Sequence, residues 1–183
     1  IAYVCKRQSG KEFALSTNSQ IYLHDRESSA TTELPGQPGY ESQPAFSPDG
    51  SVLTYLSMPT DGFESDVNQL WALALRSGPG AGRNAVRLLD EEYIESYKWL
   101  NNNTLLYQYA TQATQQIARV DFVPRPAGGI PSVKKVTPLT GGDFNYGAFG
   151  AGGTTVVAER QDINRANELF VLSLGGGEAP ATQ

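Results

Sequence analysis

The chain has 183 residues, a formal net charge of -5 and a single cysteine. A general nucleic-acid binder needs a clustered basic face for phosphate contacts, and this acidic balance argues against one. One cysteine excludes an internal disulfide, and no apolar run approaches the roughly 20 residues that a membrane-spanning helix needs.

The first predicted elements are two short strands joined by a long polar connection. The strands are IAYVC from Ile1 and IYLHD from Ile21, and residues 6–20 connect them. In the complete second repeat described next, we label four strands A to D in chain order. The two strands of the first repeat, IAYVC and IYLHD, then correspond to strands B and C. No strand A precedes them. We therefore expect an incomplete first repeat and further polypeptide on both sides of the chain.

The second repeat contains all four predicted strands, QPAF, SVLTYLSM, NQLWALAL and AVRLL. The turn SPDG separates strands A and B. Pro48 presets φ for the first turn position, and Gly50 accepts a positive φ. This pattern of short strands and tight turns is typical of antiparallel sheet.

The third and fourth repeats keep the strands but change this turn. The third has WLNNNT, in which Asn102 and Asn103 can enter the left-handed region. The fourth has GAGGT. WLNNNT and the long segment PRPAGGIPS both depart from the common blade pattern, so the sequence does not fix the blade boundaries of the third repeat.

The spacing of the B strands reveals a repeat architecture. The tripeptides IAY, LTY, LLY and VVA end at Tyr3, Tyr55, Tyr107 and Ala158, which are 52, 52 and 51 residues apart. Four strands in about fifty residues are typical of a β-propeller blade. We therefore predict an all-β partial β-propeller of about four blades, each of four antiparallel strands. Strand A is the innermost strand of a blade, and the first blade lacks it. The predicted blades span approximately 1–36, 37–90, 91–140 and 141–183, and contain fifteen strands in all.

Acidic residues concentrate in the connections that would share one face of a propeller. Alternating strand direction places the B–C and D–A connections together, and these hold twelve of the nineteen acids. They are Glu12, Glu41, Asp61, Glu64, Asp66, Asp90, Glu91, Glu92, Glu95, Asp143, Asp162 and Glu168. Such a face favours a cationic group, for example the amino terminus of a peptide. The alternative is a solvated acidic rim that only aids solubility.

The connection from Asp61 to Asp66 carries three carboxylates in six residues. It lacks the regular alternation and the terminal bidentate glutamate of a calcium loop, so no metal site is predicted. We expect Asp66 to cap a turn and Glu64 to point to solvent or to a partner domain.

Two other motifs do not support a catalytic site or a cofactor. GPGAGR resembles a dinucleotide fingerprint, but no helix follows it to hold a phosphate. There is no G-x-S-x-G elbow, and the one histidine, His24, lies in a predicted strand. The sequence therefore predicts no catalytic residue and no cofactor in this chain.

Several stretches resemble one peptidase group. GKEFALSTNSQIYLHD, GYESQPAFSPDG, LSMPTDGFESDVNQLWAL, GDFNYG and ERQDINRANELFVLSL are similar to the N-terminal propeller of dipeptidyl-peptidase V and related acylaminoacyl-peptidase-like members of the prolyl oligopeptidase family. The resemblance covers essentially the whole chain. SPDG turns occur in many propellers, whereas the STNS-x-IYL-x-D run and the GFESD loop are more specific.

The resemblance implies a serine peptidase in which a propeller covers an α/β-hydrolase domain and restricts entry to short peptides. The catalytic residues of that family belong to the hydrolase domain, which this chain lacks. Acidic propeller side chains hold the substrate amino terminus in dipeptidyl-peptidase relatives. The corresponding candidates here are Glu64, Asp66 and Glu95, although no family glutamate can be matched to one of them.

Two hypotheses of function follow from the sequence. In the first, the chain is the non-catalytic propeller portion of a serine exopeptidase, and it gates and orients short peptides for a C-terminal hydrolase domain. In the second, it is a non-enzymatic binding or scaffold propeller of the Tol-associated kind. No nucleic acid or membrane partner is predicted, a homodimer that completes the ring is compatible with the sequence, and the cellular compartment is not fixed by it.

Overall fold

The computed structural model describes residues 1–75, 85–89, 93–126 and 129–174. Within these residues, fourteen β-strands form four antiparallel sheets, and one short helix connects two of the strands. No described helix is long and apolar enough to span a membrane. The chain divides into two compact units. The first unit contains residues 1–93 and 125–131, and the second contains 94–124 and 132–183.

The first sheet has three strands in the order β1-β2-β3. Its elements are β1 (Ala2–Cys5), the helix α1 (Lys11–Leu15), β2 (Gln20–His24) and β3 (Thr31–Glu33). The strands pair antiparallel, with Val4 opposite Ile21 and Leu23 opposite Thr32. The single turn of α1 lies in the β1–β2 connection, where the sequence contains no helical periodicity.

The second sheet has four strands in chain order. They are β4 (Glu41–Phe46), β5 (Val52–Ser57), β6 (Gln69–Ala74) and β7 (Val86–Arg87). The pairing of β4 with β5 shifts register between Ser42 and Ala45. Gln43 there has φ of 50°, and Pro44 cannot donate to the ladder. This bulge accommodates a proline inside a paired strand.

The SPDG turn between β4 and β5 has the conformation predicted from sequence. Gly50 has φ of 67°, and its N–H donates to the Ser47 carbonyl at 2.8 Å. The carboxylate of Asp49 accepts from Ser47 Oγ at 2.6 Å and from the Ser51 N–H at 3.0 Å. These hydrogen bonds, led by that of Ser47, lower the pKa of Asp49 to about 2. The turn is therefore fixed by its own side chains.

The core of the first unit lies between its two sheets. Ile21 of β2 and Leu34, which directly follows β3, pack against Leu53, Tyr55 and Leu73 from the second sheet. All five side chains are buried. Because β5 is buried at every position, it is the most enclosed strand of this unit.

The second unit also contains two sheets. The third sheet has the order β11-β10-β9-β8 and the fourth has the order β12-β13-β14. The strands are β8 (Tyr93–Asn101), β9 (Thr104–Thr111), β10 (Thr114–Phe122), β11 (Val133–Pro138), β12 (Asn145–Gly152), β13 (Thr155–Asp162) and β14 (Arg165–Ser173). The predicted fifteenth strand, at the end of the fourth repeat, lies outside the described residues.

The core of the second unit joins the third and fourth sheets. Leu106 and Ile117 pack against Val156, Ala158 and Leu172. Polar contacts reinforce this packing, since the side-chain amide of Gln108 donates to the Tyr146 carbonyl at 2.6 Å and Arg119 donates to the Leu174 carbonyl at 3.0 Å. Each unit thus consists of two sheets packed face to face.

The β8–β9 turn does not use the left-handed backbone that its asparagines can adopt. Neither Asn102 nor Asn103 has a positive φ. Instead, Oδ1 of Asn101 accepts the N–H of Asn103 at 2.9 Å. This side-chain hydrogen bond closes the β8–β9 turn without left-handed backbone, because an asparagine side chain can replace a backbone acceptor.

Candidate functional site

A cleft of about 680 Å³ lies in the first unit. Its walls come from the β1–β2 connection and from residues 58–64, which follow β5. The lining residues are Val4, Lys6, Ala14, Leu15, Ser16, Thr17, Ser19, Tyr40, Met58, Gly62 and Glu64. Apolar side chains and a few polar groups thus meet in one concave surface, as in most ligand sites.

The β1–β2 connection forms the first wall and is held by Lys6. The Lys6 ammonium donates to the carbonyl of Phe13 at 2.7 Å and also to the carbonyl of Ser16. It lies 4.6 Å from the Phe13 ring centroid. A lysine near the end of a helix satisfies carbonyls that the helix leaves open. The positive charge of Lys6 is therefore used to fix α1 and its exit.

The loop after β5 forms the second wall and is shaped by Asp66. One oxygen of Asp66 accepts the N–H of Thr60 at 2.9 Å, and the other accepts the N–H of Val67 at 2.8 Å. A hydrogen bond from the Thr60 side chain is the largest cause that lowers the pKa of Asp66, and the two backbone N–H groups add to it. Asp66 therefore caps the turn, as expected from the sequence.

Asp61 connects the two walls. Its Oδ1 accepts from Ser16 Oγ at 2.7 Å, from the N–H of Thr17 at 2.9 Å and from the N–H of Asn18 at 3.1 Å. In return, the N–H of Gly62 donates to Thr17 Oγ1 at 2.9 Å. The Ser16 hydrogen bond is the largest cause that lowers the pKa of Asp61. Asp61 is thus an ionised group committed to contacts between the loops.

Glu64 is the third acid of this loop and differs from the other two. It is exposed and lines the cleft. It has no hydrogen-bond or ion-pair partner among the residues that the structure describes. Its carboxylate is therefore available to a cation that enters the cleft.

Glu95 belongs to the second unit and lies in β8, where it is exposed. The sequence placed it in a connection, whereas the structure places it within a strand. Glu64 and Asp66 share one loop of the first unit, and Glu95 is not part of that loop. Asp90, Glu91 and Glu92 lie outside the described residues.

The predicted acidic face needs correction at several positions. Besides Glu95 in β8, Asp162 ends β13 and Glu168 lies in β14. Glu41 is the clearest case. Glu41 was counted with the connections, but it lies in β4 and is only 1% exposed. Its N–H donates to Ser19 Oγ at 3.0 Å, and Ser19 Oγ donates to its carbonyl at 2.7 Å. Glu41 therefore contributes to the interior of the first unit and not to a surface.

Sequence reasoning missed the residues that position the site. Ser16, Thr17 and Asn18 were noted only as part of a resemblance, and Asp61 only as one of three acids. The signal was a run of hydroxyl and amide residues directly after α1, since such side chains and the N–H groups beside them recur as partners of carboxylates at turns. The pairing of this run with a loop 43 residues later could not be read from spacing.

Comparisons with known proteins agree with the resemblance. No family model matches the chain. It is 32% identical over 182 residues to dipeptidyl-peptidase 5 of Porphyromonas endodontalis, a match that covers 99% of this chain and 25% of that protein. Dipeptidyl-peptidase 5 of Porphyromonas gingivalis is 27% identical over the same length, with the same coverage. The chain thus spans about a quarter of the length of the curated relatives it matches.

The fold also has a solved counterpart. The crystal structure of TolB from Acinetobacter baumannii superimposes with a TM-score of 0.59 at 17% identity, covering 97% of this chain and 39% of that one. At this identity the likeness concerns the fold alone. The predicted partial β-propeller is confirmed, and so is the resemblance to dipeptidyl-peptidase V. The chain is a β-propeller segment whose sequence is similar to that of dipeptidyl-peptidase 5.

Proposed function

We propose that this segment is the non-catalytic propeller portion of a serine exopeptidase of the dipeptidyl-peptidase type, and that it gates and orients short peptides. In the full-length protein, a C-terminal α/β-hydrolase domain would follow the propeller in the same polypeptide. Sequence similarity to dipeptidyl-peptidase 5 along 99% of the chain supports this assignment.

One observation carries the site assignment. Glu64 is an exposed carboxylate without a partner among the described residues, and it lines the cleft of the first unit. A peptide with a free amino terminus carries a positive charge that such a carboxylate attracts. We assign to Glu64 the role of ligand for the substrate amine.

The other two candidates are less suited to this role. Both oxygens of Asp66 already accept hydrogen bonds from backbone N–H groups. Loss of these two hydrogen bonds would open the turn. Glu95 lies in another unit and makes contacts of its own. We therefore propose Glu64 as the principal amine ligand, with Asp66 as the cap that holds its loop.

The rest of the cleft suits the body of a short peptide. Leu15 is 76% exposed and Tyr40 is 43% exposed, and with Met58 they give the cleft apolar surface beside Glu64. Apolar contacts supply binding energy, and a single charged group fixes orientation. Such a site would align peptides by their amino end.

The test compares Glu64→Gln with wild type in the full-length protein that contains this chain. Fluorogenic dipeptidyl substrates are assayed in pairs, with a free or an acetylated amino terminus. A hydrogen bond to a charged group is worth about 1.5–3 kcal/mol, so we expect KM for the free-amine substrate to rise about tenfold. KM for the acetylated substrate should stay within about twofold, since it has no charge to lose.

Glu27→Gln is the matched control, because Glu27 is exposed in the β2–β3 turn and does not line the cleft. Equal effects of Glu64→Gln on both substrates would reject the amine assignment. A full-length protein that releases no dipeptides and does not react with a serine-directed phosphonate would reject the peptidase function, leaving a binding propeller.

A further inference from the structure

One carboxylate oxygen makes most of the hydrogen bonds between the two walls of the cleft. Oδ1 of Asp61 is within 2.7 to 3.4 Å of four donors, two of them backbone N–H groups. All four donors belong to Ser16, Thr17 and Asn18. Hydrogen bonds to an ionised acceptor are about twice as strong as neutral ones. Asp61 therefore fixes the end of the β1–β2 connection against the loop after β5.

A second hydrogen bond runs in the opposite direction between the same two walls. The N–H of Gly62 donates to Thr17 Oγ1 at 2.9 Å, and Gly62 has φ of 76°, which glycine adopts without strain. The loop thus turns sharply directly after Asp61. Glu64 follows two residues later and faces the cleft.

Asp61 itself does not line the cleft, whereas its contacts Ser16 and Thr17 do. Any effect of Asp61 on a bound peptide must then pass through the two walls. The lowered pKa of Asp61, caused mainly by Ser16, agrees with a carboxylate that stays ionised to keep these hydrogen bonds.

We propose that Asp61 is a positioning residue that sets the width of the cleft and the place of Glu64, and thereby the affinity for short peptides with a free amino terminus. This inference rests on the proposed function of Glu64. It concerns how the site is held and adds no new ligand.

The experiment uses the full-length protein with Asp61→Ala, Asp61→Asn and the double variant Asp61→Ala/Glu64→Gln. Asp61→Ala removes all four hydrogen bonds, and we expect KM for the free-amine substrate to rise about tenfold while kcat changes less than about twofold. Asp61→Asn keeps an oxygen acceptor in the same place, so it should restore most of the affinity. In the double variant, KM should rise much less than the product of the two single effects, because both changes act on one interaction.

Thr17→Val is a milder second variant in case Asp61→Ala does not fold. It removes the hydroxyl that accepts from Gly62 and keeps the shape of the side chain, so KM should rise by a smaller factor.

The inference is overturned if Asp61→Ala leaves KM unchanged while Glu64→Gln raises it, or if the effects of the two changes on KM multiply in the double variant. It is also overturned if Asp61→Asn raises KM for the free-amine substrate as much as Asp61→Ala does and leaves KM for the acetylated substrate unchanged. The charge of Asp61 would then bind the amine directly. Failure of Glu64→Gln to change KM would instead reject the assignment of Glu64 as the amine ligand, on which this inference rests.

Discussion

At the residue scale, Glu41 is an acid that the first unit encloses. Its Oε1 accepts the N–H of Gln37 at 2.9 Å. A Cβ on Gly36 would lie 1.9 Å from the same oxygen, so any other residue there would displace the Glu41 carboxyl group. Burial raises the pKa of Glu41 to about 7, and the nearby Glu33 adds to the effect.

This raised pKa predicts a stability that falls with increasing pH. Between the usual value of 4.5 and about 7, the folded chain binds more protons than the unfolded chain, so the free energy of unfolding decreases as pH rises. The full effect is about 3 kcal/mol, present below pH 4.5 and lost above pH 7. Glu41→Gln should flatten this dependence and make the chain more stable than wild type at pH 8.5.

Urea unfolding of the 183-residue chain at pH 5.5 and 8.5 measures the difference. Glu27→Gln, the same change on an exposed acid, should keep the dependence of wild type. If Glu41→Gln and wild type show parallel curves, another group causes the pH dependence.

At the scale of elements, the β9–β10 hairpin has an unfavourable turn. Gln112 and Ala113 connect paired residues Thr111 and Thr114 with φ of 48° and 61°. A two-residue hairpin needs this left-handed backbone, which asparagine and glycine adopt more easily. The long pairing of β9 with β10 imposes the conformation on two residues that do not prefer it.

We therefore expect the double change Gln112→Asn/Ala113→Gly to stabilise the chain by about 1 kcal/mol. Ala110→Gly provides the contrast, because Ala110 is exposed in β9 and glycine costs about 0.5–1 kcal/mol within a strand. Urea midpoints of the two variants should move in opposite directions. A loss of stability in the turn variant would mean that the side chains of Gln112 and Ala113 contribute more than their backbone costs.

These elements also show what the sequence could predict. The strands and the SPDG turn could be predicted, because apolar alternation and the glycine at position 50 act locally. The strained turn at Gln112 could not, because Gln-Ala carries no turn signature. The burial of Glu41 could not be predicted either, because an acidic residue close to Gly39 is typical of an exposed loop. In the candidate site, the sequence identified Glu64 and Asp66, whereas the role of Asp61 depends on a contact across 43 residues.

At the scale of the whole molecule, the face of the fourth sheet that points away from its core lacks a cover within the described residues. In the first unit the first sheet is covered by the second, and in the second unit the third is covered by the fourth. On the fourth sheet, Val156 and Leu172 face that core. Alternation turns their neighbours Val157 and Val171 to the other side, together with Leu169. These three side chains are 40%, 46% and 73% exposed.

A further sheet of the full-length protein is the expected cover of this face, because its relatives are about four times as long as this chain and each blade of a propeller packs on the next. Leu169→Ser should then destabilise the full-length protein by about 2–4 kcal/mol and change the 183-residue chain by less than about 0.5 kcal/mol. Ile163→Ser, at a β13–β14 turn residue that is 99% exposed, should have little effect in either. Thermal unfolding of both lengths measures the contrast. Equal effects of Leu169→Ser in both would show that the face stays open to solvent, and a change in the sedimentation of the 183-residue chain would show that two copies pair through it instead.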